Sequence, residues 1–561
     1  MITLESWHDS SGNADPDAQD NANPGPRFEL DVVCPATTAD VLQRAVAIAP
    51  EIEAVVTADE RISYRELADS VPKVRAALVA AGIGRGDHVG LCLPNGPRWV
   101  VLFLAITSLG AVTVPVNTRF RDDELTYVLR QSKVRLLVLA DRVLSSNFAD
   151  MIRRVCPAVA TSLPDPSLPE LTRIVVVGTD VPDGAQSWET FFAAGGAPPV
   201  PSCEPDDIAL IQYTSGTTAL PKGVLLSHRN MCVDAFFSAT RLGLRAGDRF
   251  YSGRPLFHVA GTTLSVLACL QQTATLVTAE RFEPAGALRL LEAERCTHFA
   301  GNDAIALMLI NHPDRAKRRL SLRGAWLAAS PAVVGRVMDT LGVSECVLGY
   351  GLSEASPNVA QSWWWEGDRV RHSGHASLQP GVEVRIRDLG AGVDLPPGET
   401  GEILVRGWNV TRGYYRMPEA TAAAIDEQGW LHTGNLGCLD DIGRLEFVGR
   451  AKELIRVGGE NVSPVDVETV LHKHPKIRQA AVVGVPDDRL TEVPFAFVVL
   501  VEGNQADAAE LLDWCRQQMA GFKVPRHLRI VDGFEGIGMT ASSKIQKRKL
   551  AEYAAGLLDG H

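Results

Sequence analysis

The stretch IALIQYTSGTTALPKGVLLSH, residues 208–228, decides how this chain is read. An apolar run ends abruptly in Thr214, Ser215, Gly216, Thr217 and Thr218, passes Pro221 and Lys222, and turns apolar again. Five hydroxyl side chains, one glycine and one lysine fall within ten residues. The run 207–213 reads as a buried strand that leads into a hydroxyl loop, and residues 230–244 behind it read as a helix. Small residues let a backbone approach an anion closely, and successive N–H groups in a turn form an anion-binding nest. Thr214, Ser215, Thr217 and Thr218 add hydroxyl donors, and Lys222 adds a fixed positive charge, a combination that suits phosphate oxygens. The spacing is not that of a Walker A loop. A Ser/Thr-rich surface turn has the same composition, so the segment alone leaves both readings open.

Outward from this loop, strands and helices alternate. HVGLCLP (88–94), AVTVPVN (111–117) and VRLLVLA (134–140) are strand candidates; residues 97–110 and 122–132 are helix candidates. This rhythm implies an α/β fold with parallel-type sheets covered by helices. Further on, VEVRIRD, GEILVRG and GRLEFVG alternate between Gly and Pro breaks and imply a smaller antiparallel or barrel-like region. Mixed helices and strands then resume, as expected of a separate small α+β domain, with a Gly-bearing polar stretch near 450–460 as the hinge candidate.

The 561 residues are enough for several domains, and the formal charge of −12 excludes non-specific nucleic-acid binding, which needs a basic surface. Ten cysteines are scattered singly without zinc-like spacing, which fits a reducing cytoplasm. His372 and His375 have no accompanying ligand cluster in the sequence. The Asp/Asn/Pro/Gly-rich start lacks the regions of a signal peptide and reads as a disordered tail over 1–30, and no apolar run reaches membrane-spanning length. A soluble cytoplasmic protein is expected. A homodimer is compatible with these data.

YTSGTTALPKG is followed in order by GYGLSEAS (349–356), GWLHTGN (429–435), GRAKELIRVGGENVSP (449–464) and TASSKIQKRKL (540–550). This series resembles the adenylate-forming superfamily, which includes acyl-CoA synthetases, peptide-synthetase adenylation domains and firefly luciferase. Its wording is most similar to bacterial acyl- or aryl-CoA ligases, over about residues 35–553. The resemblance implies a large N-terminal domain for ATP and acid over 31–450. A mobile C-terminal domain over 451–561 would carry a catalytic lysine. It also implies ATP, Mg2+ and coenzyme A as cofactors and a small carboxylic acid as substrate. A carboxylate would attack the α-phosphate, pyrophosphate would leave, and a thiol would then displace AMP. Loading of a separate carrier protein and a non-catalytic nucleotide-binding role are the alternatives.

The same resemblance distributes tasks. Thr214 to Thr218 would grip the triphosphate with Lys222 beside them, and Glu354 with Thr217 would hold magnesium. Tyr350 and Gly351 would flank adenine, and Ser353 would keep a hydroxyl where threonine is usual. Asn435 and Arg450 would meet the ribose hydroxyls, and Lys452 would be the hinge. Lys544 would bridge the attacking carboxylate and the α-phosphate, and Gly459 would line the pantetheine tunnel. His258, Gly261, Asn302 and Asp303 fall on segments near the acid pocket. Read on their own, His258 is equally a packing residue and Asn302 and Asp303 equally backbone-bonding groups. The sequence departs from the family at Asn435 (usually Asp), Ala219 and Ser543 (usually Gly), and at AAS (328–330), usually GGA. Modest ATP affinity is expected from these departures.

Overall fold

The computed structural model describes residues 34–214, 221–458, 460–487, 489–539 and 545–559. The run ahead of the hydroxyl tract is the strand Ile208–Thr214. It lies parallel to Val112–Pro115 and antiparallel to Lys222–Ser227, with Thr214 opposite Lys222. The tract therefore connects two paired strands at one side of a seven-stranded sheet. Lys222–Ser227 was not apparent from the sequence: a strand of six residues abutting a helix offers no periodicity of its own. The helix behind it, His228–Leu242, opens with Ser227 accepting from the Asn230 amide and closes at Gly243. Gly243 has φ +74°, and a Cβ there would lie 2.9 Å from the Trp364 ring, so no other residue fits easily.

The remaining central strands of that sheet, His88–Cys92, Leu136–Ala140 and Arg173–Val177, run parallel as the alternation implied. Helix Pro97–Ser108 is buried at every position but Arg98. One apolar core takes in this helix and residues of both large sheets, which explains why the helix is apolar almost all round. In the second, eight-stranded sheet, Arg249–Ser252, His298–Asn302, Gly324–Ala328 and Glu345–Gly351 lie side by side in parallel. Their carboxyl ends all point toward one edge of the layer, where open α/β sheets bind ligands. Val382–Arg387, Gly401–Gly407, Leu431–Leu439 and Leu445–Arg450 make the smaller antiparallel sheet that Gly-separated alternation suggested.

The last strand of that sheet ends at Arg450, the turn Ala451–Glu453 follows, and Ile455 begins a different sheet. Its long hairpin, Ile477–Asp487 and Thr491–Leu500, shows why two faces need helices. Val482 and Val498 join Leu471 and Leu511 on one side, while Val483 and Phe497 join Phe534 and Leu550 on the other. Side chains alternate across a strand, so helices Pro464–His472 and Ala508–Gln518 cover one face and Lys547–Asp559 the other. The ten cysteines are free. No helix among the described residues is long and apolar enough to cross a membrane. The proposed tail, 1–30, lies outside the described residues.

The three adjacent tryptophans divide their tasks. Trp363 and Trp365 stack with centroids 4.3 Å apart, Trp364 meets Trp365 edge-on, and Arg241 lies over Trp363. They are not part of the cavity described next.

Candidate active site

A cavity of about 1630 Å3 opens at the carboxyl ends of the parallel strands and is lined from both sides of the Arg450 boundary. Thr214, Lys222, Tyr350, Gly351, Ser353, Glu354, Asn435, Arg450 and Lys452 all line it, and so do His258, Asn302 and Asp303. Residues from four distant motifs thus share one space. Ser215, Gly216, Thr217, Thr218, Gly459 and Lys544 lie outside the described residues. The chain on either side of two of these gaps borders the cavity: Thr214, Pro221 and Lys222 at one, Met539, Ile545 and Gln546 at the other.

Tyr350 lies near the end of the strand Glu345–Gly351, and two contacts hold its ring. Phe447 stacks on it at 5.3 Å, the Asn435 amide donates to its hydroxyl at 2.8 Å, and burial pushes its pKa up to about 12, keeping the hydroxyl protonated. A Cβ on the neighbouring Gly351 would lie 1.7 Å from the Pro357 carbonyl oxygen, so the backbone crossing here requires glycine. Ser353 and Glu354 sit on the short turn Ser353–Ala355. The Tyr414 hydroxyl donates to Glu354 Oε1 at 3.0 Å, and the Lys222 ammonium lies 4.7 Å from the centre of the Tyr414 ring. Lys222, Tyr414 and Glu354 therefore form one connected group. Arg450 Nη1 stands 3.8 Å from Glu453, and Lys452 is held below its usual pKa by burial, then by Arg450 and Lys222.

The candidate acid pocket differs from the sequence reading. Gly261 is not among the lining residues; a Cβ there would lie 2.0 Å from the Pro255 carbonyl oxygen. Its smallness serves a tight backbone crossing and not the pocket surface. His258 caps the turn Val259–Gly261, its Nδ1 accepting from the Ala260 amide at 3.2 Å. Asn302 Oδ1 accepts from the Ile305 amide at 2.9 Å as a helix cap. Asp303 Oδ1 accepts from the Ser330 amide and hydroxyl at 2.9 and 3.1 Å. Burial nonetheless pushes Asp303 up to about 6. Asn302 and Asp303 thus each accept from a backbone amide through Oδ1.

Sequence reasoning missed Tyr414, Phe447, Arg254 and Trp326, all of which line the cavity. Tyr414 and Phe447 reach their partners across 60 and 97 positions, and neither stands in a motif that announces it. Near the C-terminal end, Lys547 pairs with Glu468 at 2.8 Å, and burial raises the Glu468 pKa against that pairing. His375, Cys438 and Glu446 have ligand atoms within 4.8 Å of one another, because their strands place them in one cross-strand row.

Comparison with known proteins adds to this geometry. The family model described as AMP-binding enzyme matches residues 42–415, and that of the AMP-binding enzyme C-terminal domain matches 466–544. The chain is 33% identical over 536 residues to the putative acyl-CoA synthetase YngI of Bacillus subtilis (strain 168), covering 92% of this chain and 97% of that protein. It is 35% identical to a 3-[(3aS,4S,7aS)-7a-methyl-1,5-dioxo-octahydro-1H-inden-4-yl]propanoyl:CoA ligase of Mycobacterium tuberculosis (strain ATCC 25618 / H37Rv), covering 92% and 98%. Among solved structures it is similar to the anthranilate CoA ligase AuaEII in complex with anthranoyl-AMP. That match has a TM-score of 0.85 at 26% identity and covers 95% of this chain and 100% of that one.

Proposed function

The chain belongs to the AMP-binding enzyme family, and from that premise we propose that it is an ATP-dependent carboxylic acid–CoA ligase working through an acyl-adenylate. The observation that carries this reading is that one cavity is lined by residues of both matched segments. The substrate carboxylate oxygen forms a bond to the α-phosphorus as the bond to pyrophosphate breaks. The coenzyme A sulfur then bonds to the acyl carbon, loses its proton, and displaces AMP.

Each anion in the first step repels the other, so the work falls to donors and cations held in place beforehand. In this reading Thr214 to Thr218 and Lys222 hold the triphosphate. Tyr350, fixed by Phe447 and Asn435, sets the adenine plane. Arg450 and the free carbonyl of the Asn435 amide meet the ribose. Lys544 reaches the reacting oxygens from the C-terminal domain, and Gly459 leaves room for the pantetheine arm, with Lys452 as the pivot.

Magnesium suits this cavity, since a hard cation takes oxygen ligands and keeps phosphates and waters among them. Glu354 would hold it, with Thr217 as second protein ligand; Oε1 is oriented by Tyr414, so the carboxylate has a fixed direction. When bound, the ion supplies charge neutralisation of the phosphate oxygens.

Pyrophosphate release with aliphatic, aromatic, sterol-derived and cationic acids tests the reading. One acid class should release pyrophosphate and, with coenzyme A, yield AMP and a thioester. Lys544→Ala should lower pyrophosphate release by roughly 100-fold or more. No acid-dependent release from the wild-type protein would sink it.

A further inference from the structure

Two other arginines of the interior, Arg241 and Arg249, are supplied with acceptors through both terminal nitrogens. Arg241 donates to the carbonyls of Gln361, Ser377 and Leu378, and Arg249 pairs with Glu53 and Glu294. Arg254, two residues beyond the strand Arg249–Ser252, differs: among the described residues it alone has both terminal nitrogens buried without a partner. It lines the cavity and is only 8% exposed, yet neither Nη1 nor Nη2 has a hydrogen-bond partner. Among the described residues no carboxylate lies within ion-pair distance of it. Its compensation is the Trp326 ring, whose centre lies 4.2 Å from Cζ. Burial pulls its pKa down to about 9, which leaves it protonated at neutral pH.

A buried cation without an anion is a costly arrangement, and one that a ligand relieves when it brings the missing charge. The surroundings say where such a ligand group would lie. Trp326 precedes Ala328 by two positions on one strand, about 7 Å further from the strand end. Ala328 to Ser330 are the residues expected beside adenine, and the Arg254 guanidinium lies over the ring of Trp326, which stands deeper on that strand than they do. Phe257, Leu264 and Phe282 border the same cavity and offer hydrocarbon surface. Phe282 packs against Gly253, next to Arg254.

Resting on the ligase reading above, we propose that Arg254 is a specificity-determining residue of the acyl pocket. The acid it selects is a dicarboxylic acid, whose distal carboxylate pairs with this guanidinium while the other is activated. Charge favours a carboxylate over a ketone or hydroxyl, because a neutral acceptor satisfies the N–H groups and leaves the charge uncompensated.

The test uses matched acids on aliphatic, aromatic and ring-fused skeletons, each ending in a carboxylate, a ketone or a methyl group. Binding is measured by calorimetry and activation by pyrophosphate release, for the wild type, Arg254→Met and Arg254→Lys. The expected result is a wild-type preference for one diacid over its methyl partner of at least about 10-fold in kcat/KM, carried mainly by KM. Arg254→Met should reverse that preference, and Arg254→Lys, which keeps the charge, should retain part of it. A purely structural arginine would lower activity on all partners alike, so an unchanged selectivity ratio in Arg254→Met overturns the proposal. A wild-type preference for the ketone or methyl partners on every skeleton also overturns it. If no acid releases pyrophosphate, the ligase reading fails by itself, and calorimetry still decides Arg254: equal affinity for diacid and methyl partner overturns its role.

Discussion

The Asn435 side-chain amide donates a 2.8 Å hydrogen bond to the Tyr350 hydroxyl, and Tyr350 in turn stacks on Phe447. An amide whose donor half is occupied in this way has one carbonyl oxygen left for the nucleotide, where a carboxylate would bring a charge and more acceptor sites. Tyr350 stays protonated near neutral pH, since burial holds its pKa at about 12, so its hydroxyl is able to turn and donate to a carboxylate. Asn435→Asp is therefore expected to lower the KM for ATP by roughly 5- to 30-fold, equivalent to about 1–2 kcal/mol. Steady-state kinetics at saturating acid reads this directly. An unchanged KM would mean that position 435 does not meet the ribose.

The contrast between position 435 and its partners shows what the chain's order of residues reveals. Asn435 stands inside a recognisable motif, GWLHTGN, whereas Phe447 and Tyr414 contribute through contacts that only the folded sheet creates. The strand Ile208–Thr214 was legible because seven largely apolar residues end at an abrupt hydroxyl tract. Lys222–Ser227 was not, because its pairing with that strand is a long-range choice that local propensity does not encode. Gly261 looked like a pocket residue by position, but its backbone faces Pro255. Arg254 stands in no motif; only the burial of its guanidinium sets it apart.

Tyr414 orients Glu354 and lies beneath the Lys222 ammonium. Tyr414→Phe keeps the ring for that cation and removes the hydroxyl alone. A hydrogen bond to a charged group contributes about 1.5–3 kcal/mol, so kcat/KM is expected to fall by roughly 10- to 100-fold. If Glu354 holds magnesium, the half-saturating Mg2+ concentration should rise in the same variant. Full activity at an unchanged Mg2+ requirement would show that the Tyr414–Glu354 bond is not part of the site.

In the C-terminal domain, Lys547 stands 2.8 Å from Glu468 and 3.9 Å from Glu453. Glu468 also accepts from the Val482 amide, so the pair ties the last helix to the helix Pro464–His472 and to the central hairpin. Removing one member of a largely buried pair strands the other, at a cost below the about 3–5 kcal/mol of a fully buried one. Lys547→Met is expected to lower the denaturant midpoint, and Glu468→Leu combined with it to recover much of the loss. A double variant no better than the single one would contradict the pairing. The readout is urea unfolding followed by circular dichroism.

Buried histidines set an acid limit to stability. His228 accepts from the Thr38 amide through Nδ1, and burial lowers its pKa to about 4. Asp207 and Asp40 pull in the opposite direction and Arg85 in the same one, but desolvation dominates. His472 is likewise lowered to about 4 and His298 to about 3. In the unfolded chain each ring takes up a proton near pH 6.5, so the unfolded state gains protons first as pH falls. The stability that a neutral buried ring contributes is complete above about 6.5 and is lost progressively as pH falls toward about 4, at about 1.4 kcal/mol per pH unit for each. Asp303, raised to about 6, works the other way over the lower part of this window, so the slope of the whole protein is a sum of opposed terms. The difference between wild type and His228→Gln removes that ambiguity, because glutamine offers the Thr38 amide an acceptor and does not titrate. Chemical unfolding at pH 7, 6, 5 and 4.5 should show the variant less stable than wild type at pH 7 and gaining on it with each step down. A difference that stays constant across these pH values would mean that His228 takes up its proton alike in the folded and unfolded protein.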